Sequence, residues 1–165
     1  MFQVVTSIFM FFILVVLQFV IPKYFSIINI YPNFILIYIV FTGLNKGSIK
    51  GELTGFFYGL IWDILSTDIF GIRTLTFTIS GYLSGRFNKK LDKNQPLTQV
   101  IVMLFSLLIV KFGTSIIYLI VRTETPYPYF EITYNTWGQM LCNLILAPII
   151  FKGLFYISEK KLIKN

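Results

Sequence analysis

Six apolar runs, each close to the length that crosses a bilayer, constrain the fold of this chain more than any other feature. They cover Val4–Ile21, Ile27–Leu44, Ile49–Leu65, Phe70–Gly85, Leu97–Val121 and Thr136–Tyr156. A hydrocarbon core about 30 Å thick needs about 20 apolar helical residues. Since a backbone in hydrocarbon must satisfy its own hydrogen bonds, such runs favour helices. We therefore expect an all-α, polytopic membrane protein, with six transmembrane helices in a single transmembrane domain over residues 1–165.

The composition excludes an ordinary soluble domain, because 56% of the residues are hydrophobic and only 13% are charged. Soluble domains carry roughly 25% charged residues. Pro32 lies within the second run, where it is tolerated near a helix start but would kink a helix already under way. The second helix is therefore expected to be short or broken. The third and fourth runs are separated only by Ser66-Thr67-Asp68, which predicts an antiparallel hairpin.

Lysine and arginine concentrate at one set of run ends, which predicts the orientation of the chain. Ten lie on one side, namely Lys46, Lys50, Arg86, Lys89, Lys90, Lys93, Lys152, Lys160, Lys161 and Lys164. Only Lys23, Arg73 and Arg122 lie on the other side. Because cytoplasmic loops retain positive charge, both termini are predicted to be cytoplasmic. The first run has no Lys or Arg ahead of it and no small-residue cleavage site behind it, so it is expected to be a retained span. The short juxtamembrane clusters favour anionic lipid headgroups over nucleic acid as a partner.

The inventory of reactive side chains is poor, with no histidine and one cysteine, Cys142. This excludes intramolecular disulfides, Ser-His-Asp and Cys-His nucleophile pairs, and cysteine or histidine metal sites. Paired acids or a serine with a nearby base are not apparent either. We therefore expect no catalytic residues, no metal and no cofactor.

Three glycines and an acid stand four residues apart in the third run, at Gly51, Gly55, Gly59 and Asp63. Residues four apart share one helix face, so the glycines predict a shallow groove that ends at a carboxylate. A helix glycine costs roughly 1 kcal/mol against alanine, and close approach of a second helix would offset that cost. The groove either packs within this chain or receives a partner's helix.

Three charges are placed where a bilayer makes them expensive. Asp63 either pairs with Arg73, at the same side of the membrane, or caps the exposed amides at the start of the fourth helix. The functional alternative for Asp63 is an acid that binds a proton or a substrate. Lys111 falls near the middle of the fifth run. An intramembrane lysine by default faces a bundle interior or a water-filled cavity, and the alternative is a side chain that snorkels to the interface.

The stretch from Tyr31 to Gly85 resembles the MreD family of bacterial rod shape-determining membrane proteins. The resemblance rests on Pro32-Asn33 at the opening of the second run, Gly55-x3-Gly59-x3-Asp63, Gly71-Ile72-Arg73-x-Leu75, and Tyr82. Chain length, number of spans and placement of charge also match. Lys111 does not map onto the family pattern.

The resemblance implies a noncatalytic subunit of the cell-elongation machinery in the bacterial inner membrane. Such a subunit would scaffold MreC and the peptidoglycan synthesis machinery, with MreB, RodA and a penicillin-binding transpeptidase as direct or indirect partners. It also implies a fold similar to the substrate-binding subunits of energy-coupling-factor transporters. The alternative function is therefore a small-molecule-binding transmembrane subunit of such a transporter. Helix packing or partner binding is assigned to Gly51, Gly55, Gly59, Asp63, Gly71 and Arg73.

Overall fold

The computed structural model describes residues 13–18, 20, 30–66, 69–88, 91–121 and 134–162. Within these ranges the chain forms six helices and no strands. Helical residues 13–18 are labelled α1, and the others are α2 (Phe34–Lys46), α3 (Ser48–Leu65), α4 (Ile72–Arg86), α5 (Pro96–Val121) and α6 (Tyr134–Leu162). Most of the predicted first span lies outside the described residues, as does most of the connection between the fifth and sixth runs. The all-α class is confirmed for the described part of the chain.

The helices α3 to α6 follow the predicted runs, but α2 begins later than predicted. The sequence predicts a helix from Ile27, whereas residues 30–33 are not helical and α2 starts at Phe34. Pro32 disfavours helical backbone in the residue before it. Asn33 then caps α2, since its side-chain oxygen accepts a hydrogen bond of 2.9 Å from the Leu36 amide. With 13 residues, α2 is about 20 Å long, which is shorter than a bilayer core.

Among the residues that the structure describes, two helices are long and apolar enough to cross a membrane by length and composition. They are α5, over Pro96–Val121 with a mean hydropathy of 2.4, and the Thr136–Tyr156 part of α6, at 1.5. The helix α2 is apolar but shorter. These helices agree with the membrane class predicted from the sequence, and six membrane crossings stay a prediction.

The central element of the fold is α2, which packs against α3, α4, α5 and α6. Six of its apolar side chains are at most 1% exposed, namely Ile35, Leu36, Ile37, Ile39, Val40 and Leu44. A helix that is apolar all round belongs inside a bundle. Phe41 completes the contact with α6, because its ring lies edge-on to Phe151 and Phe155 with centroids 5.6 and 5.0 Å away.

One residue, Gly47, connects α2 to α3, and its φ of +89° is a backbone conformation that other residues rarely adopt. Asn88, after α4, donates a hydrogen bond to the Leu44 carbonyl, so the end of α4 lies beside this turn. Lys93, before α5, donates to the Asn45 side chain at 2.9 Å. We call this end of the bundle the Gly47 end and the opposite end the Asp63 end.

Candidate functional site

The glycine face of α3, made of Gly51, Gly55 and Gly59, lies against the backbone of α4. A Cβ on Gly59 would stand 2.5 Å from the Thr74 Cα, and a Cβ on Gly55 would overlap the Phe77 carbonyl. Real Cβ atoms essentially never come within 3.0 Å of such atoms. Only glycine allows the two helices to approach this closely, and the close approach supplies the van der Waals contact that binds helices in a membrane.

The contact is reciprocal, because α4 presents two glycines to α3. A Cβ on Gly81 would overlap the Gly51 carbonyl, and a Cβ on Gly85 would overlap the backbone of Ser48. The sequence carries a signal for this second pair, since Gly81-x3-Gly85 repeats the four-residue spacing, but the prediction did not include it. The groove of α3 is therefore filled by α4 of the same chain. This face of α3 is therefore not available to a helix of a partner protein.

A second face of α4 is lined by small hydroxyl residues, Thr76, Ser80 and Ser84, which are all buried. Each hydroxyl donates to the carbonyl four residues earlier, at 2.6 to 2.9 Å, so none depends on water. Ser84 also lies 3.3 Å from Ser106 of α5, oxygen to oxygen. The glycines of α4 thus contact α3, and Ser84 contacts α5, while α2 also packs against α4.

Asp63 is 3% exposed and caps the start of α4. Its Oδ2 accepts hydrogen bonds from the Gly71 amide at 3.0 Å, the Thr74 amide at 2.9 Å and the Thr74 hydroxyl at 2.6 Å. Its Oδ1 accepts from the Arg73 amide at 3.1 Å. The first amides of a helix have no partner inside the helix, and they attract negative charge. Of the two arrangements that the sequence left open for Asp63, the structure has the capping one.

Gly71 and Arg73 occupy separate parts of this cap. Gly71 is the N-cap residue of α4, and its left-handed φ of +97° favours glycine. Arg73 gives Asp63 its backbone amide, while its guanidinium lies 5.5 Å from the centre of the Trp62 ring. Its buried Nε has no hydrogen-bond partner among the described residues. The charge of Arg73 is thus directed away from a simple pair with Asp63.

Arg73 of α4 and Lys111 of α5 line one cavity of about 240 Å³ at the Asp63 end, which we call the basic cavity. Its other polar lining residues include Asn33, Ser115, Gln139 and Asn143. Lys111 is half-buried there. The lysine therefore borders a cavity, which is one of the two placements that the sequence allowed. The sequence did not predict that both cations share it.

Two side-chain amides that the prediction did not single out hold the start of α2. The backbone N–H of Asn33 donates a hydrogen bond to Asn143 Oδ1 of α6, and the backbone N–H of Phe34 donates one to Gln18 Oε1 of α1, each at 2.8 Å. Gln18 and Asn143 are 3% and 2% exposed. The available signal was their polarity within apolar runs, since a buried amide needs partners.

The whole chain was also compared with known proteins. The family model described as rod shape-determining protein MreD matches residues 1–157. No curated protein and no solved structure gave a match. The family match extends well beyond the stretch from Tyr31 to Gly85 that carries the resemblance in sequence, and it includes α5 and most of α6. The chain therefore belongs to the MreD family of rod shape-determining proteins.

Proposed function

We propose that this protein is a noncatalytic subunit of the rod-shape complex in the bacterial inner membrane, where it scaffolds MreC and the peptidoglycan synthesis machinery. The family match over residues 1–157 carries the proposal. MreC is the expected direct partner, and MreB, RodA and a penicillin-binding transpeptidase are reached directly or through it. The chain would act as one multi-pass domain with six crossings and with both termini in the cytoplasm.

The noncatalytic part of the proposal rests on the inventory of the full sequence, which has no histidine and one cysteine. Asp63 is the buried acid that a reaction would most readily use. Its two oxygens already accept four hydrogen bonds, three of them from backbone amides. A carboxylate held in this way stabilises a helix start, which supports a structural role.

A partner's helix would have to dock on the outer faces of the bundle, because α4 fills the glycine face. Large apolar side chains are exposed on α1 and on each of α3 to α6, for example Phe57, Ile79, Phe105 and Ile145 of α3 to α6 in order. Exposed apolar surface in a membrane protein is open both to lipid and to other helices. The face that contacts MreC is therefore best found by experiment.

A photoreactive amino acid placed singly at Phe57, Ile79, Phe105 or Ile145 in living cells would test the scaffold. We expect an MreC adduct from at least one of these positions. Phe77, which is 0% exposed, is the matched control and should give no intermolecular adduct. If no position yielded an adduct with MreC while each variant was inserted and abundant, the scaffold proposal would be wrong.

The basic cavity favours the second candidate function, a small-molecule-binding subunit similar to those of energy-coupling-factor transporters. Convergent polar groups in a concave site are the usual mark of ligand binding. The two candidates differ in what copurifies from mild detergent. MreC would favour the scaffold, and a pair of ATPases with a coupling subunit would favour transport.

A further inference from the structure

An apolar groove of about 280 Å³ runs between α5 and α6, beside the basic cavity. Its walls include Leu104 and Phe112 of α5 and Trp137 and Leu141 of α6, all of which are exposed. These side chains would face hydrocarbon in a bilayer. We call this surface the α5–α6 groove.

The groove and the basic cavity meet along shared residues. Lys111, Ser115, Thr136 and Met140 line both of them. A cation and two hydroxyls therefore lie at the boundary between the apolar groove and the basic cavity. This is the arrangement that an amphiphile requires, with its apolar tail on one side and its polar group on the other.

The charge of the basic cavity selects an anion. Arg73 and Lys111 line it, and among its described lining residues none is acidic. The nearby carboxylate of Asp63 is engaged by amides at the start of α4. Arginine presents a planar fork of donors that matches phosphate oxygens, and lysine adds a compact positive charge. A phosphodiester fits this chemistry.

The volumes limit what each part can hold. A cavity of about 240 Å³ lies below the range of about 300–1,000 Å³ that is usual for drug-sized ligands. At about 30 Å³ per water-sized group, it has room for a phosphodiester and the small groups attached to it, but not for an acyl chain as well. The groove then has to receive the rest of the molecule, and its lining suits an acyl chain.

We propose that the basic cavity and the α5–α6 groove together bind an anionic phosphoglyceride. Its phosphodiester would be held by Arg73 and Lys111, and one acyl chain would lie along the groove. This site is at the Asp63 end of the bundle. It is distinct from the lysine clusters near the Gly47 end and in the carboxyl-terminal segment, for which a general attraction to anionic headgroups is predicted.

Trp137 lines the groove and provides the assay. The protein with Trp62→Phe, which leaves Trp137 as its one tryptophan, is placed in bilayers that mix dibrominated phosphatidylglycerol with phosphatidylcholine. Quenching across the mixing series gives the relative binding constant of the two lipids at this position. We expect a preference for phosphatidylglycerol that falls roughly fivefold for each basic residue removed, in Lys111→Gln and then in Arg73→Gln with Lys111→Gln.

The double variant Lys50→Gln with Arg86→Gln is the matched control, because it removes two charges near the Gly47 end. It should leave the preference unchanged. Leu104→Trp, made with Trp62→Phe and Trp137→Phe and read by its own fluorescence, should lower the affinity for the lipid because the larger side chain fills the groove. Lys111→Gln alone keeps the test valid if Arg73→Gln fails to fold, because Lys111 is half-buried and not part of the Asp63 cap.

Three results would overturn the assignment. The first is a relative binding constant that shows no preference between the two lipids in the protein with Lys111 intact. The second is an equal loss in the Lys50 and Arg86 control, which would mean general surface attraction. The third is loss of the preference in millimolar inorganic phosphate, but not in sodium chloride of matched ionic strength, which would identify a free phosphate as the ligand.

Discussion

Replacing Asp63 tests the central physical feature of the fold, because one carboxylate satisfies the start of α4. In Asp63→Ala, three backbone amides and the Thr74 hydroxyl lose their acceptor. A buried donor left without a partner costs about 1–3 kcal/mol. The full cost is not expected for every group, since Arg73 and Thr74 are only half-buried and the hydroxyl can turn to another acceptor. We expect a loss of about 3 kcal/mol in the free energy of unfolding.

Asp63→Asn should have a free energy of unfolding between that of the unchanged protein and that of Asp63→Ala. The amide oxygen can occupy the position of Oδ2, which accepts three of the four hydrogen bonds. The amide nitrogen then faces the Arg73 amide, so that one donor meets another. A loss of about 1–2 kcal/mol follows, close to the value for an ordinary N-cap residue.

The measurement is equilibrium unfolding in mixed micelles of dodecylmaltoside and sodium dodecyl sulfate, followed by far-ultraviolet circular dichroism. Glu52→Ala is the matched control, because Glu52 is an exposed acid on the same helix. It should change the free energy of unfolding by less than about 0.5 kcal/mol. Capping would be the wrong explanation if Asp63→Ala lost no more stability than Glu52→Ala.

A double-mutant cycle with Arg73→Ala separates capping from an ion pair. Because Arg73→Ala keeps the backbone amide that Asp63 binds, the cap survives the change. The single variant should lose about 0.5–2 kcal/mol, for the guanidinium contact with Trp62. We expect a coupling energy below about 0.5 kcal/mol, as for independent sites. A coupling of several kcal/mol would instead show that the two charges are paired.

Two further substitutions test the packing of the bundle by the same unfolding assay. Gly55→Ala should destabilise the protein by about 1–3 kcal/mol because its Cβ overlaps the Phe77 carbonyl. Gly153→Ala, which has open space around its Cβ, should be neutral or stabilising. Equal effects of the two substitutions would contradict the close approach of α3 and α4. Asn143→Ala should cost about 1–3 kcal/mol because it leaves the Asn33 amide without its acceptor, and an unchanged stability would show that this hydrogen bond is dispensable.

The parts of the fold that the sequence predicts are those decided by local spacing. Gly51, Gly55 and Gly59 share a face because helical residues four apart always do, whatever the fold around them. The capping role of Asp63 could be proposed from the sequence for a similar reason. Because the connection between α3 and α4 is short, a carboxylate near the end of α3 lies close to the start of α4.

The parts that the sequence does not predict depend on contacts between distant helices. Arg73 of α4 and Lys111 of α5 line the same cavity but are 38 residues apart, and no local pattern links them. The start of α2 was placed too early because an apolar run shows where a helix is tolerated, while Pro32 and the Asn33 cap decide where it begins. The occupant of the glycine face likewise depended on Gly81 and Gly85, which lie in another helix.

The uneven packing of the bundle bears on how a scaffold of this kind would work. The helices α3 and α4 meet backbone to backbone, with α2 enclosed beside them, and such close-packed contacts resist rearrangement. By contrast, only 28% of the apolar window of α5 and 17% of that of α6 is buried within the chain. These two helices therefore present a large apolar surface that is open to lipid or to another helix. A lipid bound in the α5–α6 groove would complete that surface, so that removing the charge of Lys111 should weaken partner crosslinks from α5 and α6 more than those from α3.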